Sequence, residues 1–332
     1  MRALCGVILL LLGLCAACGA PRSQPTQRAW GVLYMVERWD RTASQLRLVD
    51  PDTGVDRAVA ATVDGEVPAA GAPPQGLPAN VQYAGASFDG RWAAYTAPIG
   101  DPPWPWMDVY VVQVASGAST KLPVSGWTCA WSPMGHDLAV VNNGGTDQNG
   151  LWLFDADTAH TRQLLTGTDV HEAEVRWSPD GSRIAVVGGN AFEAVVVVDV
   201  ATGAKRTVNE VGDYRRRKLL SLSWSPQGDR IAFMQYVAEG AGVDECSECP
   251  FVVDLATGRE TRLPDKTFWG QFTWSPDGRQ VVFDGPGGHS ACCSIQKADL
   301  VTGEVTRLTG GGEDWLHILR WGWVTFVLAP EQ

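Results

Sequence analysis

Apolar positions in this chain come in short runs of four to six residues, rich in Val, Ile and aromatic side chains and separated by Ser, Pro, Asp and Gly. Runs of that length bounded by turn formers predict strands, and they recur over most of the 332 residues. One stretch is nearly copied four times: "CAWSPMGHDLAVV" at 129–141, "VRWSPDGSRIAVV" at 175–187, "LSWSPQGDRIAFM" at 222–234 and "FTWSPDGRQVVFD" at 272–284. A degenerate copy, "AGASFDGRWAAYT", covers 84–96. The turn glycines Gly90, Gly135, Gly181, Gly228 and Gly278 are 45, 46, 47 and 50 residues apart, a period that signals a propeller or a solenoid.

A second module follows each copy after a loop, as in "LWLFDADTAH", "VVVVDVATGA" and "PFVVDLATGR", and six such modules are present. Each unit therefore reads strand, Ser-Pro-x-Gly turn, strand, loop, strand, Asp-x-x-Thr-Gly turn, strand. Four strands per unit make a propeller blade. In Ser178-Pro179-Asp180-Gly181, Pro179 presets φ, Ser178 caps the backbone and Gly181 reverses the chain without a Cβ clash. The repeated aspartates are read as turn residues, since acid chemistry has no use for six copies. Trp131, Trp177, Trp224, Trp274 and Trp321 recur in the same way, each at the end of an innermost strand, where a large flat ring fills the wedge between blades.

The two chain ends complement each other. "WGVLYMVE" and "QLRLVD" supply later strands of a blade without the leading one, and "LHILRWGWVTFVL" supplies that leading strand. The expected fold is all-β, a six-bladed propeller of four-stranded antiparallel blades closed by N- and C-terminal strands, which leaves no open sheet edge. A separate hairpin formed by "WVTFVL" would raise the count to seven. The "WSPDGxxIAF" and "VxDxxTG" pattern resembles the TolB-like propeller repeats, which also occur in the propeller domains of prolyl-oligopeptidase-type peptidases. The resemblance covers residues 30 to about 328. It implies the propeller and, by analogy only, protein interaction at a cell envelope.

Residues 1–20 open with Arg2 and an unbroken apolar run from Ala3 to Leu14, an export signal too short to be a permanent membrane span. The ending "LCAAC" resembles the lipobox of bacterial lipoproteins, with Cys18 as the lipidated residue, although Cys15 stands where leucine is usual. The expected organisation is a signal peptide at 1–17, a lipidated tether at 18–28 and the propeller at 29–332, on the outer side of a bacterial membrane. Removing residues 1–17 takes away only Arg2, leaving 25 basic against 37 acidic residues, a net charge of −12. That charge repels phosphate backbones and argues against nucleic acid as a partner. Arg215–Lys218, "RRRK", is the only basic cluster and reads as a solvated loop, or else as a docking site for an acidic partner or for headgroups.

No G-x-S-x-G elbow and no H-E-x-x-H pair occurs, so neither a hydrolase triad nor a metalloprotease is supported. Propellers bind at the mouth of the central channel, which nominates the loops entering the innermost strands. These carry His171 and Glu172, Arg216, Trp269, and Asp314 and His317, a set suited to a peptide or small polar ligand. "GDPPWPWMDVY" adds Trp104 and Trp106, either exposed anchors for a partner or rings buried against the propeller face.

Cys246, Cys249, Cys292 and Cys293 fall in corresponding loops of neighbouring blades and read as structural disulfides, with inter-blade pairing favoured because bonding adjacent cysteines is strained. A zinc site with His289 is the weaker alternative, and Cys129 reads as a buried free thiol. The sequence therefore predicts a monomeric, non-enzymatic, membrane-anchored propeller without a cofactor or metal, binding an envelope protein or peptide. A small-ligand or carbohydrate-binding or hydrolysing propeller, using Glu172, Asp314 and Trp269 or Trp315, is the alternative.

Overall fold

The computed structural model describes residues 27–37, 44–62, 82–99, 106–126, 128–142, 149–166, 170–188, 194–210, 217–237, 248–263, 272–285, 294–309 and 315–328. Every regular element among them is a strand. β1 (Gln27–Glu37), β2 (Ser44–Val49) and β3 (Asp56–Thr62) begin the first blade. Blade 2 is β4 (Gln82–Ala86), β5 (Trp92–Ile99), β6 (Trp106–Gln113) and β7 (Ser119–Ser125). Blade 3 is β8 (Thr128–Trp131), β9 (Asp137–Asn142), β10 (Gly150–Asp155) and β11 (His160–Thr166). Blade 4 is β12 (Val170–Trp177), β13 (Arg183–Gly188), β14 (Ala194–Asp199) and β15 (Lys205–Glu210). Blade 5 is β16 (Arg217–Trp224), β17 (Arg230–Val237), β18 (Glu248–Asp254) and β19 (Glu260–Arg262). Blade 6 is β20 (Phe272–Trp274), β21 (Gln280–Gly285), β22 (Ser294–Asp299) and β23 (Val305–Arg307), and β24 (Trp315–Leu328) ends the described chain.

These strands form six four-stranded antiparallel units, and the first blade combines the two chain ends in a closed β1-β2-β3-β24 arrangement. β24 pairs along β1, as in Val32↔Trp321, and its final residues reach β3, as in Phe326↔Thr62. "WVTFVL" thus continues β24 and forms no seventh blade. The fit is close at Gly31, where an added Cβ would lie 2.7 Å from the Val49 carbonyl oxygen. β1 starts at Gln27, so the stretch read as a tether reaches two residues into the first strand.

The core sits between blades. In β13, Ile184 and Val186 pack towards blade 3 while Ala185 and Val187 pack towards blade 5. A middle strand thus buries both faces, which is why its sequence reads as an apolar run with no polar alternation. Comparable clusters join blades 2 and 3, blades 5 and 6, and blades 6 and 1.

The repeat residues are used as joints. Trp131, Trp177, Trp224 and Trp274 each donate the indole N–H to a carbonyl one blade back, on Gly85, Ala130, Arg176 and Ser223, at 2.9–3.3 Å. The ring fills the wedge and the nitrogen satisfies an innermost-strand carbonyl. In the turn, Ser178 Oγ donates to Asp180, the Arg183 amide donates to Ser178 Oγ, and Gly181 adopts φ +69°. The hydrogen bond from Ser178, with others from Ser182, pulls the Asp180 carboxyl down to about 2. Asp199 and Asp254 likewise accept from Thr202 and Thr257 in the outer turns. These carboxylates are occupied by turn construction, as their repetition implies.

Candidate functional site

Two neighbouring innermost strands, β12 and β16, depart from this regularity beside one cavity. Between Val170↔Gly188 and Val175↔Val186, β12 advances five residues while β13 advances two, so the segment before Val175 bulges out of the ladder. Between Leu220↔Met234 and Ser223↔Ala232, β16 carries one extra residue, and Ser221 takes φ +52°, a strained conformation for a non-glycine residue. Bulges re-aim side chains and occur often beside functional sites. Here the irregular segments border a cavity of about 250 Å³ lined by Glu174 and Arg176 of β12, Ser221 to Trp224 of β16 and Phe272 of β20.

Within it Arg176 Nη2 lies 2.9 Å from Glu174 Oε2, and Arg176 Nη1 donates to the Val175 carbonyl at 3.1 Å. Burial pushes the Glu174 carboxyl upward and the Arg176 charge draws it partly back. The Glu174 side chain is 18% exposed and that of Arg176 is 42% exposed, so Arg176 is the more open member of the pair. Comparison of the repeats with one another separates these two residues from the scaffold. Three positions before the repeat tryptophans stand Thr128, Glu174, Ser221 and Gln271, and one position before stand Ala130, Arg176, Ser223 and Thr273. The scaffold needs only the backbone carbonyl at the second of these positions, so a charged side chain there serves something else. Arg320, before Trp321, is the other arginine at that position.

A second charged cluster spans blades 2 and 3. His136 Nδ1 lies 2.6 Å from Asp157, its Nε2 lies 3.2 Å from Asp89, and the Phe88 ring stacks on the imidazole at 5.4 Å. Arg91 bonds Asp89 and approaches the same ring, and the Trp92 indole donates to Asp157 at 3.2 Å. The Asp157 hydrogen bond raises the His136 pKa, and the bond to Asp89 adds to it. Against the upward push of desolvation, bonds from Arg91, Ser87 and His136 hold Asp89 well below the usual carboxylate range. Met134 stands where other copies of the turn carry Asp or Gln, and His136 joins the blades at that point.

The residues nominated from sequence fare unequally. His171 and Glu172 belong to β12 and not to a loop, because the innermost strand extends to Val170 and pairs there with Gly188. His317 is on β24 opposite Met35, and Trp106 begins β6 opposite Ile99. Arg217 and Lys218 pair with Val237 and Tyr236 on β16, so the basic run enters a strand where a loop was expected. Cys18, Trp104, Arg216, Cys246, Trp269, Cys292, Cys293 and Asp314 lie outside the described residues. Cys129 is a free thiol on β8, pushed up to about 12 by burial. Cys249 is buried opposite Gln235 and is disulfide-bonded, with its partner outside the described residues. Among the described residues no group of His, Cys, Asp and Glu could hold a metal ion. The sequence reading missed Glu174, Arg176, Ser221 and His136. A position-by-position comparison of the repeats would have found the first two.

The six sheets, the inter-blade tryptophan joints and the cavity at the innermost strands define a six-bladed β-propeller with an irregular site on its inner rim. No family model matches the chain. Among solved structures it is similar to TolB from Acinetobacter baumannii, with TM-score 0.54 and 14% identity over 87% of this chain and 66% of that one. It is also similar to a puromycin-hydrolyzing peptidase of Mycobacterium tuberculosis, with TM-score 0.50 and 17% identity over 85% of this chain and 45% of that one. The chain thus spans just under two thirds of the first protein and under half of the second. At these identities the likeness establishes a propeller fold like theirs.

Proposed function

We propose that this protein is a non-enzymatic propeller, exported and held at a bacterial membrane by lipid on Cys18, that binds a protein or peptide partner at its inner rim. The observation that carries the binding reading is the cavity formed by Glu174, Arg176, Ser221 and Phe272, where side chains depart from the repeat and the innermost strands bulge. Among the described side chains Glu174 is partnered by Arg176, an arrangement suited to holding a ligand. The "LCAAC" ending supports the anchor. Disulfides among Cys246, Cys249, Cys292 and Cys293 belong to the same extracytoplasmic reading.

The test is proximity labelling from the anchored protein beside its Cys18→Ala form and a Glu174→Gln/Arg176→Gln form. The expected result is a reproducible neighbour lost in both variants. Labelling that is indifferent to both would contradict the proposal.

A further inference from the structure

We infer that the inner-rim cavity recognises a carboxylate on an acidic peptide segment of the partner, with Arg176 as the recognising group and Glu174 as the residue that positions it. This inference rests on the binding reading above and names the chemistry of that site. The two charges of the pair are unequally accessible, since Glu174 is mostly covered while nearly half of the Arg176 side chain is open. Arg176 is further fixed by the Val175 carbonyl, so Nη1 and Nη2 each have a partner while 42% of the side chain stays open. A guanidinium tethered in this way is preorganised for a planar two-oxygen acceptor and loses little side-chain entropy on binding.

The surroundings supply the remaining parts. Ser221 and Ser223 bring hydroxyl groups to the cavity lining, and Phe272 and Leu222 give it an apolar wall. The cavity, about 250 Å³, accepts one amino-acid side chain or one chain terminus and excludes a folded surface.

An independent placement points to the same charge. The chain carries one basic cluster, Arg215–Lys218, within a net charge of −11. Its last two residues, Arg217 and Lys218, open β16, the strand that continues into Ser221 and Ser223. Two residues of the sequence's one basic cluster thus open the strand that lines the cavity, and in an acidic protein that placement favours an anionic segment as the occupant.

The carboxylate has two possible sources in a peptide, a chain terminus or an acidic side chain. Three peptides separate them: acetyl-Ala-Ala-Glu-Ala-Ala-amide, acetyl-Ala-Ala-Ala-Ala-Ala with a free C-terminus, and the neutral acetyl-Ala-Ala-Gln-Ala-Ala-amide. Binding of each to the full-length protein in detergent is followed by ligand-observed NMR titration. One acidic peptide is expected to bind at least tenfold tighter than the neutral one, and which of the two does so identifies the source.

Arg176→Lys, which keeps the charge and loses the fork, should weaken that binding several-fold, and Arg176→Gln should abolish the preference. Glu174→Gln should weaken it while leaving the protein's circular dichroism unchanged. Glu174→Gln/Arg176→Gln guards against unfolding caused by a lone buried carboxylate. Equal binding of acidic and neutral peptides, no binding by any peptide, or an acid preference that survives Arg176→Gln overturns the inference. Equal binding that nonetheless disappears in the double variant overturns the carboxylate and leaves the binding reading intact.

Discussion

Replacing Trp224 with Phe tests whether the repeated tryptophans are joints between blades. The ring is 8% exposed, its nitrogen donates to the Arg176 carbonyl at 3.0 Å, and the Arg183 guanidinium sits over it at 5.0 Å. Phenylalanine keeps an aromatic ring in the wedge but removes the donor and shortens the side chain. The lost hydrogen bond amounts to about 1 kcal/mol net. Two fewer buried ring carbons, at ~0.8 kcal/mol each, bring the total to about 2.5 kcal/mol. For a domain of this size that corresponds to a fall in Tm of roughly 5 °C. Urea denaturation followed by tryptophan fluorescence, with calorimetry alongside, measures both quantities. A change below ~0.5 kcal/mol, the range of an ordinary surface substitution, would refute the reasoning.

Three further outcomes are expected. The His136 pKa is raised in the folded protein, so its contribution to stability is complete below about 6.5, the ordinary histidine value, and is lost as pH rises through the higher folded value. Asp89 and Asp157 are depressed, so their contribution appears above the ordinary carboxylate value and is lost on strong acidification. Denaturation midpoints should therefore decline from mildly acidic to alkaline pH in the wild type, and His136→Asn should flatten that decline; an unchanged slope would remove the inter-blade clasp. Gly31→Ala places a methyl 2.7 Å from the Val49 oxygen and 2.9 Å from Leu48 Cδ1, and should cost about 1–3 kcal/mol, read from the same urea curves. Mass spectrometry of the unreduced protein should find Cys249 bridged and Cys129 as a thiol that resists alkylation until the protein is unfolded.

The scaffold was legible because it is local and repeated. Ser178 to Arg183 close their turn with bonds no more than five residues apart, so the residues and their purpose lie side by side in the sequence. The tryptophans were legible through their period, although each acceptor is 46 to 51 residues away.

The candidate site was harder to read. Whether Glu174 lies on a regular strand or in a bulge depends on the pairing of Val170 with Gly188, which no short window reveals. His136 meets Asp89 across 47 residues and Asp157 across 21. His171 and Glu172, the residues that precede the motif, lie on the same strand two positions short of Glu174. Arg176 was passed over because it lies inside a motif whose neighbours are structural. The pairing of β24 with β1 was legible in the complementary chain ends, whereas the reach of β24 to β3 follows from no local pattern.

The central claim is that the repeat builds the propeller and that function lies where the repeat is broken. The most direct test is acidic-peptide binding to the Glu174→Gln/Arg176→Gln protein, with its urea midpoint measured on the same sample. The account predicts an unfolding free energy within ~0.5 kcal/mol of wild type and the loss of at least tenfold in affinity. A folded double variant that binds the acidic peptide as the wild type does would contradict it.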